Sequence, residues 1–444
     1  MNKNQLKNMA IVLLLISSIV LLSIRFELFV SPTGVSSEKF DTVGVESVLK
    51  ASVRPSSIII RYSTNNVTKL IDKEGFYYQE ARSVLKDSLQ DITGIENVSE
   101  EEYKQLKDSK SIQLDFEPTL DQRLLYGSLF LEDGSFGDFQ EISEILIPLI
   151  NDTSIYIKTP EHNIFRLKNK IINYMPYVDN LSNIKYSKYY SLGDLFDSTS
   201  DVLISDSDIH VPSHNTLSAF NDNTIIDVIR SVFSNRYDFA NRISELDGTY
   251  IVTYDYGREL LKISPDGKII YSNSDALNNP SKVSMVNSLV TAYNFLDKFN
   301  LNNDTYVVED LELYESGSSK GFTFTFNPRI DGLRLCMRPF SPHTKITIVN
   351  GRVYSFEGIA RTFEQTSTST DLEDLQLTAL DVLSRNFEYL EKKLKFKDNI
   401  DLFNKISLID LVYAYDSDLN YIPSYKMIID NQLFYFDMKT GEVM

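Results

Sequence analysis

One cysteine, no tryptophan and four histidines leave this 444-residue chain poor in the side chains that most often carry chemistry. Cys336 stands alone, so no intramolecular disulfide can form and the fold must rest on ordinary apolar cores. His210 and His214 lie four apart in HVPSH, a spacing that puts two metal ligands on one face of a helix. Pro212 and Ser213 make the segment a turn instead, and the glutamate of a zinc-hydrolase helix is missing. No metal and no cofactor is expected. Neither a phosphate-cradling GxxxxGK loop nor a GxGxxG cofactor turn occurs, and no serine elbow is expected. Cys336 has no local base and reads as a buried, inert thiol. The 62 acidic residues create so many carboxylate pairs that none stands out as a catalytic couple. The chain is therefore not expected to be an enzyme.

Positive charge is also scarce, with 44 basic residues against 62 acidic ones and a net charge of -18. Such a body repels nucleic acid and has no general attraction for anionic polymers. With 42% hydrophobic residues and 13 prolines, most of the length should nevertheless fold.

What is present begins at the amino terminus. Lys3 and Lys7 precede a run from Met9 to Ile24 whose only polar side chains are Ser17, Ser18 and Ser23. Serine hydroxyls can bond back to helix carbonyls and so enter lipid at small cost. The run is short for a hydrocarbon core of about 30 Å, but Arg25 can snorkel and Phe26, Leu28, Phe29 and Val30 extend it. The basic start places the amino terminus in the cytoplasm and the body outside the cell membrane, in a single pass. A cleaved signal peptide is the competing reading, and IRFELFV offers bulky residues where a cleavage site needs small ones. Large cysteine-poor exteriors of this kind suit a Gram-positive bacterium.

The spacing then predicts an α+β body with helices packed on antiparallel sheets. Residues 1–30 form the cytoplasmic tip and anchor, and 31–45 a polar linker. A first α+β domain covers 46–168, with strands at Ile58–Ser63, IQLDFEP, Thr153–Lys158 and His162–Leu167. A helix from Tyr77 to Ile95 carries its stripe at Ala81, Val84, Leu85 and Leu89, and Ser99 caps another with Glu102 three residues on. Residues 169–245 form a less legible centre with a helix at Thr224–Phe233. In 246–444 a pattern recurs: a hairpin, a long helix, then antiparallel strands. The first copy places its helix at Val283–Phe299, and the second runs from the Asn350-Gly351 turn through a helix at Asp371–Lys393 to strands ending at Asp437.

Against the acidic background, Arg329, Arg334 and Arg338 cluster in NPRIDGLRLCMRPF. They are read either as intramolecular salt bridges or as an interaction patch for a partner's carboxylates. Sheet edges offer a second mode of recognition.

The segments FTFTFNPRIDGL, TKITIVNGRVYSFEG, DLVYAYD and YIPSYKMIIDNQLFYFDMKTGEV, with the single amino-terminal span, resemble the YycH family. These are accessory regulators of the essential cell-wall sensor histidine kinase of Gram-positive bacteria. The last portion also resembles the sister family YycI. The resemblance implies a noncatalytic protein acting through its transmembrane helix and exterior domains, with the kinase and a YycI-like protein as partners. A homodimer stays open beside these contacts. In that setting Ser17, Ser18 and Ser23 are the candidate transmembrane contacts, since small residues permit close helix approach. They form no single stripe, and simple anchoring remains the alternative. A wall-associated hydrolase or transferase and a propeptide-like inhibitory module are the readings from other classes.

Overall fold

Among the described residues twenty-three strands follow one another in chain order. They are β1 (Ser57–Ser63), β2 (Asn66–Leu70), β3 (Ile92–Asn97), β4 (Ser111–Asp121), β5 (Glu141–Pro148), β6 (Ser154–Lys158), β7 (Ile164–Asn169), β8 (Tyr189–Ser191), β9 (Leu203–Ser205), β10 (His214–Ser218), β11 (Asn241–Ser244) and β12 (Tyr250–Tyr254). There follow β13 (Glu259–Ile263), β14 (Lys268–Asn273), β15 (Tyr306–Ser316), β16 (Ser319–Ile330), β17 (Leu333–Cys336), β18 (Thr344–Val349), β19 (Arg352–Ile359), β20 (Arg361–Gln365), β21 (Ile406–Tyr415), β22 (Asn420–Ile429) and β23 (Gln432–Asp437). The computed structural model describes residues 42–444 except 65, 74, 91, 132–138, 150–153, 170–186, 206, 208, 219, 279–280, 282, 300, 302–304, 337–343, 366–375 and 416–419. No helix among the described residues is long and apolar enough to cross a membrane, and the run 9–30 lies outside them. Residues Ser47–Met444 form one compact unit.

The first sheet has nine strands in the order β3-β7-β6-β5-β4-β1-β2-β8-β9, all antiparallel. Its central strands β1 and β4 bury successive residues rather than alternate ones, because both faces are covered. The helix Phe76–Gln90 buries Ala81, Val84, Leu85 and Leu89, the stripe read from their spacing. It stops five residues short of the expected end. Ile92, Thr93, Gly94 and Ile95 join β3 instead, where the β-branched residues favour pairing with β7 and the glycine disfavours a longer helix. Ser99 Oγ accepts from the Glu102 amide at 3.2 Å and starts the helix Glu100–Lys107, as read.

The second sheet has fourteen strands, in the order β11-β12-β13-β14-β19-β18-β16-β17-β21-β22-β10-β20, with β15 on β16 and β23 on β22. Strand β16 holds it together. Gly321 to Phe326 pair with β18, while Arg329 and Ile330 pair with β17, so the strand changes neighbours at Asn327-Pro328. The β17–β21 pair is parallel, an exception to the antiparallel expectation.

The two copies read along the chain do not fold as two separate layers. The β18–β19 hairpin inserts between β14 and β16 and completes the sheet under the helix Met285–Asp297. There Leu289, Tyr293, Leu296, Phe299 and Phe356 are fully buried, with the last two rings stacked at 5.0 Å. Tyr293 satisfies its hydroxyl on the Tyr306 carbonyl at 2.6 Å. Of the long helix expected at Asp371–Lys393, residues 371–375 lie outside the described ones, and the rest holds two helices, Ala379–Arg385 and Phe387–Leu394, broken at Asn386, whose side chain donates to the carbonyls of Val382 and Gly441. Their apolar sides share one core with Met427, Ile429, Phe434 and Phe436, and Leu192 and Ile204 from around β8 and β9 enter that same core.

Candidate functional site

The β16–β17 hairpin turns through Asp331 and Gly332, whose φ values of 50° and 80° are those a two-residue hairpin turn requires. Asp-Gly between apolar residues is the signal for such a turn, and it makes NPRIDGLRLC a hairpin that the sequence reading passed over. Its tip touches β2's exit: a Cβ on Gly332 would stand 2.7 Å from the Asp72 carbonyl oxygen. Asp72 is itself fixed, accepting from the amides of Tyr77 and Tyr78 at the start of the helix Phe76–Gln90.

Arg329 and Arg334 face each other across this hairpin, a register in which like charges repel. The structure separates them. Arg329 is buried and donates from Nη1 to the Pro55 carbonyl at 2.6 Å and from Nη2 to the Arg54 carbonyl at 3.1 Å. Arg334 donates from Nη2 to Glu309 Oε2 at 2.7 Å, while its Nε stands 2.6 Å from Oε1 without hydrogen-bond alignment. Burial pulls the Arg329 guanidinium down to about 10; Glu309 opposes this, and the charges of Arg54 and Arg334 add to it. Arg334 is also desolvated, but Glu309 outweighs that and holds it above its ordinary range. Both arginines are thus engaged within the chain. Arg338, Ser17, Ser18 and Ser23 lie outside the described residues.

Among the described residues two ion pairs cross from the first sheet to the second. Lys69 on β2 meets Asp410 on β21 at 2.7 Å, and Lys426 on β22 pairs with Glu117 on β4. Beside the Lys69–Asp410 pair lies a cavity of about 50 Å³ whose apolar wall includes Ile58, Ile71, Ile204, Leu333, Ile409 and Leu411. Lys69 and Lys426 meet carboxylates and Arg329 meets main-chain carbonyls, so charge here pins one sheet to the other.

Cys336 is buried beside these groups, and burial pushes its thiol up. His214 begins β10 rather than lying in a turn, with Nε2 3.2 Å from Asp331 Oδ2. Tyr413 donates to the same carboxylate at 3.3 Å and to the Pro212 carbonyl at 2.9 Å. His210 is exposed. One string departs from expectation: Gly317 to Gly321 has the GxSxG spacing of a serine elbow. It forms the β15–β16 hairpin, not a strand-to-helix turn, and its buried central Ser319 donates to the Leu277 carbonyl at 2.9 Å.

No protein-family model matches the chain, and no curated protein matches it. Among solved structures it is similar to YycH from Bacillus subtilis, with 15% identity and a TM-score of 0.51 over 87% of this chain and 96% of that one. An uncharacterized protein from Eubacterium rectale aligns over 61% of the chain at 15% identity and a TM-score of 0.34. The YpeB C-terminal domain of Bacillus megaterium aligns over 51% at 13% identity and 0.27. The last two scores are too low to establish a common architecture. The likeness to YycH is one of fold, and it spans nearly all of that molecule.

Proposed function

We propose that the chain is a noncatalytic regulator, anchored in the cell membrane by residues 9–30, that modulates a sensor histidine kinase controlling cell-wall metabolism in a Gram-positive bacterium. The observation that carries this reading is the YycH fold, shared over 87% of the chain. A fold by itself assigns no partner. It is joined here to the basic, then apolar, amino terminus, which supports an extracytoplasmic body by the positive-inside rule.

Regulation of this kind works by unequal affinity for the kinase's conformational states. A body whose two sheets are pinned by Lys69–Asp410, Lys426–Glu117 and Arg329 suits that role, because a stiff lever passes a displacement on rather than absorbing it. A YycI-like protein is the expected companion. Ser17, Ser18 and Ser23 are the side chains through which the helix would pack against the kinase's own spans.

The test is crosslinking and affinity capture from native membranes, comparing the chain with a form whose spanning segment is replaced by an unrelated one. Capture of a histidine kinase by the natural form and its loss on the exchange is the expected result. Capture by neither form would overturn the regulator reading, and equal capture by both would move recognition to the exterior body.

A further inference from the structure

A pocket of about 850 Å³ opens beside the β16–β17 turn, within the range of small-molecule sites. Its charge runs against that of the whole molecule. Arg54, Lys73, Arg329 and Arg361 line it, together with His214, whereas Asp331 is its sole carboxylate among the described residues. Asp331 is already shared by His214 and Tyr413. Neither Arg54 nor Arg361 has a side-chain hydrogen bond or an ion pair among the described residues, in a chain with 62 acidic groups to choose from.

The nitrogens record the same imbalance. Nε of Arg54, Arg329 and Arg361 and Nδ1 of His214 are all buried without a hydrogen-bond partner. His214 is 6% exposed and Arg329 9%. Arg54 and Arg361 are half-buried as whole residues, and the cost of partly desolvating a cation without counter-charge is relieved when an anion enters. Lys50 is a further cation of the lining, and among its polar residues stand the apolar side chains of Leu301, Ile330 and Phe363 and the ring of Tyr306.

We propose that this pocket binds a small ligand bearing one carboxylate or phosphate on an apolar or aromatic body, with Arg54 and Arg361 reading the charge. Planar guanidinia match the paired oxygens of either group. Phe363 and Tyr306 would cover the apolar part. Binding there is independent of any kinase partner.

Titration calorimetry on the full chain in neutral detergent, at ionic strength fixed with chloride, tests this with benzoate and phenyl phosphate as probes. At least one should bind, and Arg361→Gln and Arg54→Gln should each weaken it by about tenfold or more. Both variants should melt no lower than the natural chain without ligand, since each removes an unneutralised cation, and should lose the probe's stabilising shift. Binding of benzoate alone identifies a carboxylate site, of phenyl phosphate alone a phosphate site, and of both a general oxyanion site. If neither binds, or the variants bind as the natural chain does, the proposal fails.

Discussion

Lys69 and Asp410 stand 341 residues apart in sequence, yet the lysine ammonium lies 2.7 Å from the aspartate Oδ1, joining β2 to β21. Their side chains are 18% and 13% exposed. An ion pair so far out of water gains little over an apolar pair of the same shape, but breaking it strands a charge. Lys69→Met should therefore cost about 3 kcal/mol, read from the urea midpoint. The double variant Lys69→Met with Asp410→Leu should regain most of it. A double variant as unstable as the single one would show that the pair's worth is not electrostatic.

Arg329 presents a different balance. Its guanidinium satisfies the carbonyls of Arg54 and Pro55, and removing it leaves both without that donor while also relieving a buried cation. Arg329→Met should destabilise by about 2 kcal/mol. Arg329→Lys should fall between, because a single ammonium cannot match the two directions of the planar fork. A lysine variant as stable as the natural chain would mean that charge alone matters at this position.

How much of this could be read from the sequence depends on how local the signal is. The Asn350-Gly351 hairpin, the Ala81-Val84-Leu85-Leu89 stripe and the Ser99 cap each lie within one element, and each is where its spacing placed it. The sheet memberships were not legible. Nothing near Thr344 says that β18 and β19 will pair with β16 and β14 of the preceding unit, because that choice is made by apolar faces meeting across the chain. The arginine cluster was visible as composition. Its partners were not, since Glu309, Pro55 and Arg54 come from other elements. The cationic pocket escaped for the same reason: Arg54, His214 and Arg361 are each isolated in sequence and meet only through folding.

Asp115 on β4 supplies a pH dependence. Burial first, and the charge of Glu144 second, lift its carboxyl above the ordinary 3.8, against Lys107 and hydrogen bonds from Gln113 and Ser57. The folded chain therefore keeps this proton over a range where the unfolded chain has lost it. Native binding of the extra proton makes stability fall as pH rises from 3.8 through the raised value, and the penalty is constant above it. Asp115→Asn removes that penalty. Urea midpoints of the variant should gain on the natural chain as pH rises through this window and then run parallel. A difference that is flat with pH would show that the carboxyl titrates alike in both states.

Gly332 and Gly351 separate two costs of adding one methyl group. Both are the second residue of a hairpin turn with positive φ, 80° and 76°, so alanine at either incurs the left-handed penalty of about 1 kcal/mol. Around Gly351 a Cβ meets nothing within 4 Å, whereas at Gly332 it would lie 2.7 Å and 2.8 Å from the oxygen and carbon of the Asp72 carbonyl. That carbonyl cannot easily yield, because the Asp72 side chain is tied to the amides of Tyr77 and Tyr78. Gly351→Ala should lower stability by about 1 kcal/mol, and Gly332→Ala by about 3 kcal/mol or more, with the excess arising where the hairpin tip meets Asp72. Thermal melts of the two variants side by side measure this difference. Equal losses would mean that the hairpin tip moves away from Asp72 freely, and the stiff junction between the sheets would then have to rest on the ion pairs and on the Arg329 hydrogen bonds.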